Sequence, residues 1–214
     1  MELFRKKSKS QNKFLKDKCQ INTMEQVSIQ DRVFDKINFT QNPLEQGEYE
    51  YCTFINCDFS NTDLSGIKFM ECEFDTCNLS MAKLANTSFQ EIKFKNCKLL
   101  GLHFKNCNTF ALSVYFENCI LNYSSFNKTK LIKTTFINVK LHEVDFTESD
   151  LSGSVFDNCD FTRAVFNNTK IEKTDFRTSV NYSIDPDKNR IKKAKFSVFG
   201  VVGLLDKYDI EIDF

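Results

Sequence analysis

The chain has 214 residues and contains no tryptophan, only two prolines and only six glycines. Scarcity of proline favours a backbone that is hydrogen-bonded throughout, because each proline removes an amide donor. No run of 18 apolar residues is present, which argues against a transmembrane helix. The basic N-terminus lacks the apolar segment of a signal peptide, and the formal net charge is zero. We therefore expect a cytoplasmic protein that neither enters a membrane nor binds nucleic acid directly.

The residues that most often carry catalysis are also scarce. His103 and His142 are the only histidines, and no nucleophile accompanies them in the pattern of a catalytic triad. Neither a glycine-rich phosphate loop nor a metal-binding motif is visible. We expect no catalytic residue, no metal and no cofactor, and hence a protein that is not an enzyme.

Phenylalanine, by contrast, is abundant and regularly spaced. It occurs 23 times, and eight copies lie twenty residues apart except for one slip of two residues: Phe34, Phe54, Phe74, Phe94, Phe116, Phe136, Phe156 and Phe176. Between them a large apolar residue recurs at every fifth position, a period that belongs to neither a helix nor a flat strand. The pattern predicts a solenoid in which four five-residue units form one coil, so that residues twenty apart stack.

The cysteines follow the same frame. The large apolar residue at every fifth position is the central residue of its five-residue unit. Seven of the nine cysteines lie two positions before a central residue: Cys52, Cys57, Cys72, Cys77, Cys97, Cys119 and Cys159. Disulfides and metal binding are the alternatives, but the five-residue spacing is too wide for a zinc motif and no histidine is near. We interpret these cysteines as small, buried, reduced side chains.

Two segments resemble a known family closely. The segments "CDFSNTDLSG" at 57–66 and "SDLSG" at 149–153 are similar to the motif of the pentapeptide-repeat proteins. The resemblance implies an all-β fold, a right-handed quadrilateral β-helix, closed by a short C-terminal helical cap. It also implies a partner, because the Qnr-type quinolone-resistance members bind type II topoisomerases such as DNA gyrase and are thought to mimic DNA.

The repeats divide the chain into three parts. Residues 1–22 form a basic arm that either is solvated or touches a polyanion, residues 23–178 form the β-helix, and residues 179–214 form a C-terminal cap. The frame slips at 105–115, which predicts a bulge that is either functional or a tolerated insertion. Phe110 or Leu112 is expected to supply the inward side chain that the slip displaces.

The C-terminal part is expected to close the solenoid. Lys195–Ser197 is predicted to be a last strand with Phe196 inward, 201–208 a short apolar helix, and 209–214 a final strand. The segment is richer in apolar residues than a cap requires, so it either folds back entirely or forms a homodimer interface. The dimerisation residues would be Phe199, Val202, Leu204, Leu205, Tyr208 and Ile210.

Two hypotheses for function remain open. The first is topoisomerase binding, through the bulge residues Phe110, Leu112 and Ser113 and the acidic residues Asp145, Glu148, Asp150, Asp157 and Asp160. The second is a general scaffold for an unknown bacterial protein partner. The charges form alternating acidic and basic bands rather than one acidic stripe, so a uniform DNA-like field is not expected.

Overall fold

The computed structural model describes residues 27–110 and 112–213, and the predicted arm at 1–22 lies outside them. Within these ranges, eleven short strands form two parallel sheets. The strands are β1 (Val27–Gln30), β2 (Val33–Asp35), β3 (Gly47–Glu50), β4 (Thr53–Ile55), β5 (Lys68–Met70), β6 (Glu73–Asp75), β7 (Ser88–Gln90), β8 (Ile92–Lys95), β9 (Val114–Glu117), β10 (Thr135–Ile137) and β11 (Val155–Asp157). The described residues also include three 3-10 helices, at Phe104–Asn106, Gly200–Leu204 and Asp206–Tyr208.

The sheets run along two sides of a four-sided solenoid. One has the order β1-β3-β5-β7 and the other β2-β4-β6-β8-β9-β10-β11, and every pair is parallel. The other two sides are held by isolated parallel bridges, such as Asn38 with Asp58 and Asp63 with Lys83. Residues twenty apart pair directly, as Phe54 does with Phe74, so the predicted period of twenty is confirmed.

Each side has its own column of inward-facing central residues. Face 1 contains Phe34, Phe54, Phe74, Phe94, Phe116, Phe136, Phe156, Phe176 and Phe196. Face 2 contains Phe39, Phe59, Leu79, Leu99, Leu121, Leu141 and Phe161. Face 3 contains Leu44, Leu64, Leu84, Phe104, Phe126, Phe146 and Phe166. Face 4 contains Ile29, Tyr49, Phe69, Phe89, Leu131, Leu151, Ile171 and Ile191.

The phenylalanines of face 1 form one continuous stack. Neighbouring ring centroids are 4.5 Å apart for Phe136 and Phe156 and 5.5 Å apart for Phe176 and Phe196, the two extremes of the stack. Rings from adjacent faces meet edge to face, as Phe54 and Phe69 do at 5.9 Å. Both geometries are favourable for aromatic pairs, so the rings fill the interior of the solenoid.

Left-handed backbone turns the chain at the corners. The residue two positions after a central residue has a positive φ at nearly every corner, for example 53° at Asn96 and 56° at Thr76. Asparagine tolerates this conformation better than most residues. At the corner between faces 1 and 2 it forms a hydrogen-bonded ladder, in which Asn118 donates to Asn96 (3.2 Å) and Asn138 donates to Asn118 (3.0 Å).

The cysteines occupy a second inward position beside the rings. All eight described cysteines are buried free thiols. Seven of these sulfurs lie against backbone carbonyl oxygens, and the Cys97 thiol is 3.3 Å from the Phe74 oxygen of the preceding coil. The interpretation of these residues as small buried side chains agrees with this geometry.

The slip in the frame is an irregular segment on face 4. It begins after the 3-10 helix Phe104–Asn106 and ends at β9. Leu112 packs partly buried against the core, whereas Phe110 is 85% exposed. Of these two alternatives, Leu112 therefore supplies the inward side chain, and the Phe110 ring points away from the core.

The C-terminal end differs from its prediction in three respects. The expected helix at 201–208 is two 3-10 segments, and residues 209–213 form no strand. Phe196 does point inward and extends the face 1 stack, although Lys195 forms a single bridge with Asp175 rather than a strand.

Two glycines allow the last segment to approach the solenoid closely. A Cβ atom on Gly203 would lie 2.0 Å from the Tyr182 carbonyl oxygen, and one on Gly200 would lie 1.9 Å from the Tyr182 hydroxyl. Leu204 consequently reaches the core, and the Ile184 amide donates to the Gly203 oxygen.

Candidate protein-interaction surfaces

The five acidic residues proposed for partner binding surround the solenoid. Asp157 lies on face 1, Asp160 on face 2, Asp145 on face 3 and Asp150 on face 4, while Glu148 is at the corner between faces 3 and 4. A partner that contacts one side of the solenoid can therefore touch only part of this set. The structure brings Glu148 and Asp150 together and leaves Asp157 and Asp160 on other sides.

Several of these carboxylates already have partners within the chain. Asp150 accepts from Lys170 at 3.1 Å, and Asp160 lies 2.7 Å from His142. Burial opposes ionisation of Asp150, but hydrogen bonds from Ser152 and Lys170 outweigh it and lower the pKa of Asp150. Burial also opposes ionisation of Asp160, but hydrogen bonds from neighbours including His142 outweigh it and hold the pKa of Asp160 below its usual range. Both groups therefore carry a negative charge at neutral pH.

The irregular segment presents Phe110, Leu112 and Ser113 on face 4. Hydrogen bonds to the preceding coil hold its two ends, because the Asn108 amide donates to Thr87 and the Ser113 amide to Phe89, each at 2.9 Å. Phe110 projects between these anchors. A surface groove of about 400 Å³ lies beside the segment, lined in part by Glu71, Glu91, Lys93, Ser113 and Tyr115.

Charge on face 4 is divided along its length, a feature that the band pattern of the sequence did not suggest. Before the irregular segment, outward positions hold one lysine, Lys68, and five acidic side chains: Asp31, Glu48, Glu50, Glu71 and Glu91. After it, they hold two acidic side chains, Asp150 and Glu172, and seven basic ones: Lys130, Lys133, Lys170, Lys173, Arg190, Lys192 and Lys193. Reading every twentieth residue would have revealed this division.

The proposed dimerisation residues lie at the C-terminal end of the solenoid. Phe199 is 80% exposed, Tyr208 57% and Ile210 56%, whereas Val202, Leu204 and Leu205 are partly buried. Val198, which was not among the predicted residues, is 82% exposed. The segment is tied to the turn before it by Lys207, which forms an ion pair with Asp185 at 2.9 Å.

Two kinds of site were not found among the described residues. Across residues 27–110 and 112–213, no group of three or more His, Cys, Asp or Glu side chains is arranged to hold a metal ion. Within the same ranges, no helix has the length and apolar character needed to cross a membrane. What the molecule presents is flat, polar faces on a rigid core.

Comparison with known protein families identifies the repeats. The family model described as the pentapeptide repeat region matches residues 48–113 and 110–182, and a model for the SV2A/B/C luminal domain matches residues 4–79. No curated protein matches the sequence.

Solved structures resemble this chain to different degrees. Full-length QnrB1, a plasmid-mediated fluoroquinolone resistance protein, is 23% identical with a TM-score of 0.52, and the match covers 86% of this chain and all of QnrB1. HetL, a pentapeptide repeat protein involved in heterocyst differentiation regulation from the cyanobacterium Nostoc sp. strain PCC 7120, is 12% identical with a TM-score of 0.42, over 80% of this chain and 87% of HetL. The match to the repeat model extends over more than half of the sequence, and this chain belongs to the pentapeptide-repeat family.

Proposed function

We propose that this chain is a non-enzymatic, cytoplasmic binding protein whose partner is a type II topoisomerase. The observation that carries the proposal is the match to QnrB1, which covers the whole of that fluoroquinolone resistance protein. The resemblance of the repeats to Qnr-type proteins implies the same class of partner. Buried free thiols in all eight described positions suit a reducing compartment.

The architecture favours binding over catalysis. Stacked side chains fill the interior, and the groove described above lies open on the outside of the solenoid. A solenoid of this kind presents long rigid faces, which is how repeat proteins engage other proteins. The exposed aromatic ring of Phe110 is the type of side chain that anchors protein interfaces.

A supercoiling assay tests the proposal directly. Purified protein is titrated into DNA gyrase with and without ciprofloxacin, and we expect it to restore supercoiling in the presence of the drug. Phe110→Ala should weaken this effect at least tenfold if the ring is a buried anchor. Met81→Ala is the matched control, because Met81 is 58% exposed at a corner away from face 4.

Single charge removals should show which face meets the enzyme. Asp145, Asp150 and Asp160 each accept a hydrogen bond from the backbone amide two residues later. Substitution by Asn keeps that turn and removes only the charge, so the fold is preserved. Because these residues lie on three different faces, an effect confined to one variant identifies the contacting side.

The scaffold hypothesis predicts a different result. If gyrase supercoiling and its inhibition by ciprofloxacin are unchanged over a wide range of protein concentration, topoisomerase is not the partner. A pull-down from a bacterial lysate with wild type and Phe110→Ala in parallel would then identify proteins that depend on the projecting ring.

We further propose that two copies associate end to end through the C-terminal segment. Val198, Tyr208 and Ile210 leave an apolar surface on this end of the solenoid. Apolar surface concentrated at one site favours an interface, and a two-fold contact would also cover the last coil. The alternative is that the segment serves only as a cap on its own chain.

A further inference from the structure

Face 4 has an internal symmetry that the other faces lack. The irregular segment that contains Phe110 lies midway along it. Four central residues precede the segment and four follow it: Ile29, Tyr49, Phe69 and Phe89, then Leu131, Leu151, Ile171 and Ile191. The half before the segment is mainly acidic and the half after it is mainly basic. Faces 1, 2 and 3 carry both signs in both halves.

We propose that face 4 is an antiparallel self-association surface, on which a second copy of this chain docks with its basic half over the acidic half of the first. The two-fold axis would pass through the irregular segment and run along the strand direction. Each Phe110 would then face the Phe110 of the other copy. This contact does not depend on the topoisomerase proposal.

The symmetry determines which residues meet. Rotation about the strand direction reverses the solenoid axis but does not move a residue along its strand. A residue therefore meets the residue that has the same place within its five-residue unit, in the coil equally far from the irregular segment on its other side. At the corner between faces 4 and 1, Glu91 meets Lys133, Glu71 meets Gly153, Tyr51 meets Lys173, and Asp31 meets Lys193. None of these corner positions places like charges together.

The positions before the central residues are complementary as well. Glu48 and Lys68 form an ion pair within one copy at 2.5 Å, and Asp150 and Lys170 form one at 3.1 Å. The rotation places Glu48 opposite Lys170 and Lys68 opposite Asp150, which creates a square of alternating charges. One pair of like charges arises, between Glu50 and Glu172, and the lysines Lys170 and Lys173 flank Glu172.

The grooves beside the segment fit the same arrangement. Glu71 and Glu91 line the groove of about 400 Å³ at the corner. Lys133 of the second copy would reach this groove, because it lies opposite Glu91. Neither Glu91 nor Lys133 forms an ion pair within the described part of the chain, so both are available to an incoming partner.

A contact of this kind is narrow and polar. Nine levels at about 4.8 Å give a length of roughly 40 Å, and one face is little more than one strand wide. Its buried area is therefore below the roughly 800 Å² per partner of a standard interface. We expect weak association that salt suppresses, since the attraction comes from exposed charges.

A charge-swap experiment tests the pairing. Glu91→Lys and Lys133→Glu each place two like pairs in the dimer, and either change should weaken association about tenfold. The double variant exchanges the charges and should return association to within about twofold of wild type. Both Glu and Lys occupy left-handed corner positions elsewhere, at Glu143 and Lys173, so the substitutions are compatible with the fold.

The readout is sedimentation velocity at about 20 mM and about 500 mM salt, which differ severalfold in screening length. Lys140→Glu, on face 2, is the matched control and should associate like wild type. Salt distinguishes this contact from the apolar end-to-end contact, which high salt does not weaken. Association that is insensitive to salt, or a double variant no better than the single variants, would overturn the proposal.

Cross-linking examines the axis independently. Treated with a mild oxidant that accepts the two electrons, Phe110→Cys in a Cys19→Ser background should form an intermolecular disulfide with itself at low salt and not at high salt, because residues on a two-fold axis meet their own copies. Lys140→Cys in the same background should form no such disulfide at either salt concentration. Equal cross-linking of the two variants would show that collision rather than a defined surface joins the chains.

Discussion

At the scale of single residues, the stacked phenylalanines contribute most to the stability of the solenoid. Phe94 is fully buried and stacks on both Phe74 and Phe116. Phe94→Ala should lower the free energy of unfolding by about 3–5 kcal/mol, because coils fixed by backbone hydrogen bonds above and below cannot close the cavity. Urea denaturation measures the change. Phe110→Ala, which removes an exposed ring, is the control and should change stability by less than about 0.5 kcal/mol.

A second residue-scale prediction concerns Thr76, whose backbone is strained at a left-handed corner of the solenoid. It interrupts the asparagines of the corner between faces 1 and 2 and has a φ of 56°, unfavourable for a β-branched side chain. Thr76→Asn should raise the free energy of unfolding by about 1 kcal/mol. The reverse change, Asn118→Thr, should lower it by a similar amount and also break the side-chain ladder. A Thr76→Asn variant that is less stable than wild type would show that the Thr76 hydroxyl, which donates to Asp75, matters more than the backbone strain.

At the scale of structural elements, the buried thiols of the solenoid should be chemically inert. Burial raises the pKa of Cys72, Cys107 and Cys159 to about 12. The thiolate that reacts with disulfide reagents is therefore scarce in these three residues at neutral pH, and burial keeps reagents away from the other described thiols. In a Cys19→Ser background, native protein should react with a chromogenic disulfide reagent only at the rate of unfolding, and all eight described thiols should react in guanidinium. Reaction within seconds under native conditions would contradict this.

The last coils should lose stability in acid. A hydrogen bond from Arg177 is the main reason that the pKa of Asp175 falls from 3.8 to about 2. Because folding lowers this pKa, the ionised carboxylate stabilises the protein above about pH 4, and that contribution disappears as the pH falls toward 2. Wild type should melt at a higher temperature than Asp175→Asn at pH 6, and the difference should vanish near pH 2. A difference that does not shrink in acid would point to packing instead.

At the scale of the whole molecule, the C-terminal segment decides between a monomer and an end-to-end dimer. Leu204→Asp with Leu205→Asp should give a folded monomer by light scattering at high salt, where wild type should have twice the mass of one chain. Leu204 also reaches the core, so circular dichroism must show that the double variant is folded. Tyr208→Asp is a milder companion, since Tyr208 is 57% exposed and can be changed without entering the core. A wild type that stays monomeric at micromolar concentration would mean that the segment is only a cap.

The sequence alone was sufficient for the solenoid, and the reason is its periodicity. Stacked identical units place residues twenty apart in contact, so the Phe54–Phe74 pairing and the burial of the cysteines could be predicted from spacing. The exposure of the Phe110 ring could not be predicted, because the slip leaves two apolar residues competing for one inward position. The absence of a strand at 209–213 also escaped prediction, since an alternating pattern does not show whether a neighbouring strand is available.

The composition of the interaction surfaces could not be predicted from the sequence, for a different reason. Asp145, Asp150, Asp157 and Asp160 are close in sequence, but each coil distributes such neighbours over four sides. Residues that share a face are twenty apart, so the division of charge on face 4 becomes visible only when the chain is wound into coils. The amino-acid sequence thus determined the repeat, the core and the family, because these follow from local spacing. The tertiary structure decided which charges lie together, because that depends on where the slip at Phe110 falls among the four faces.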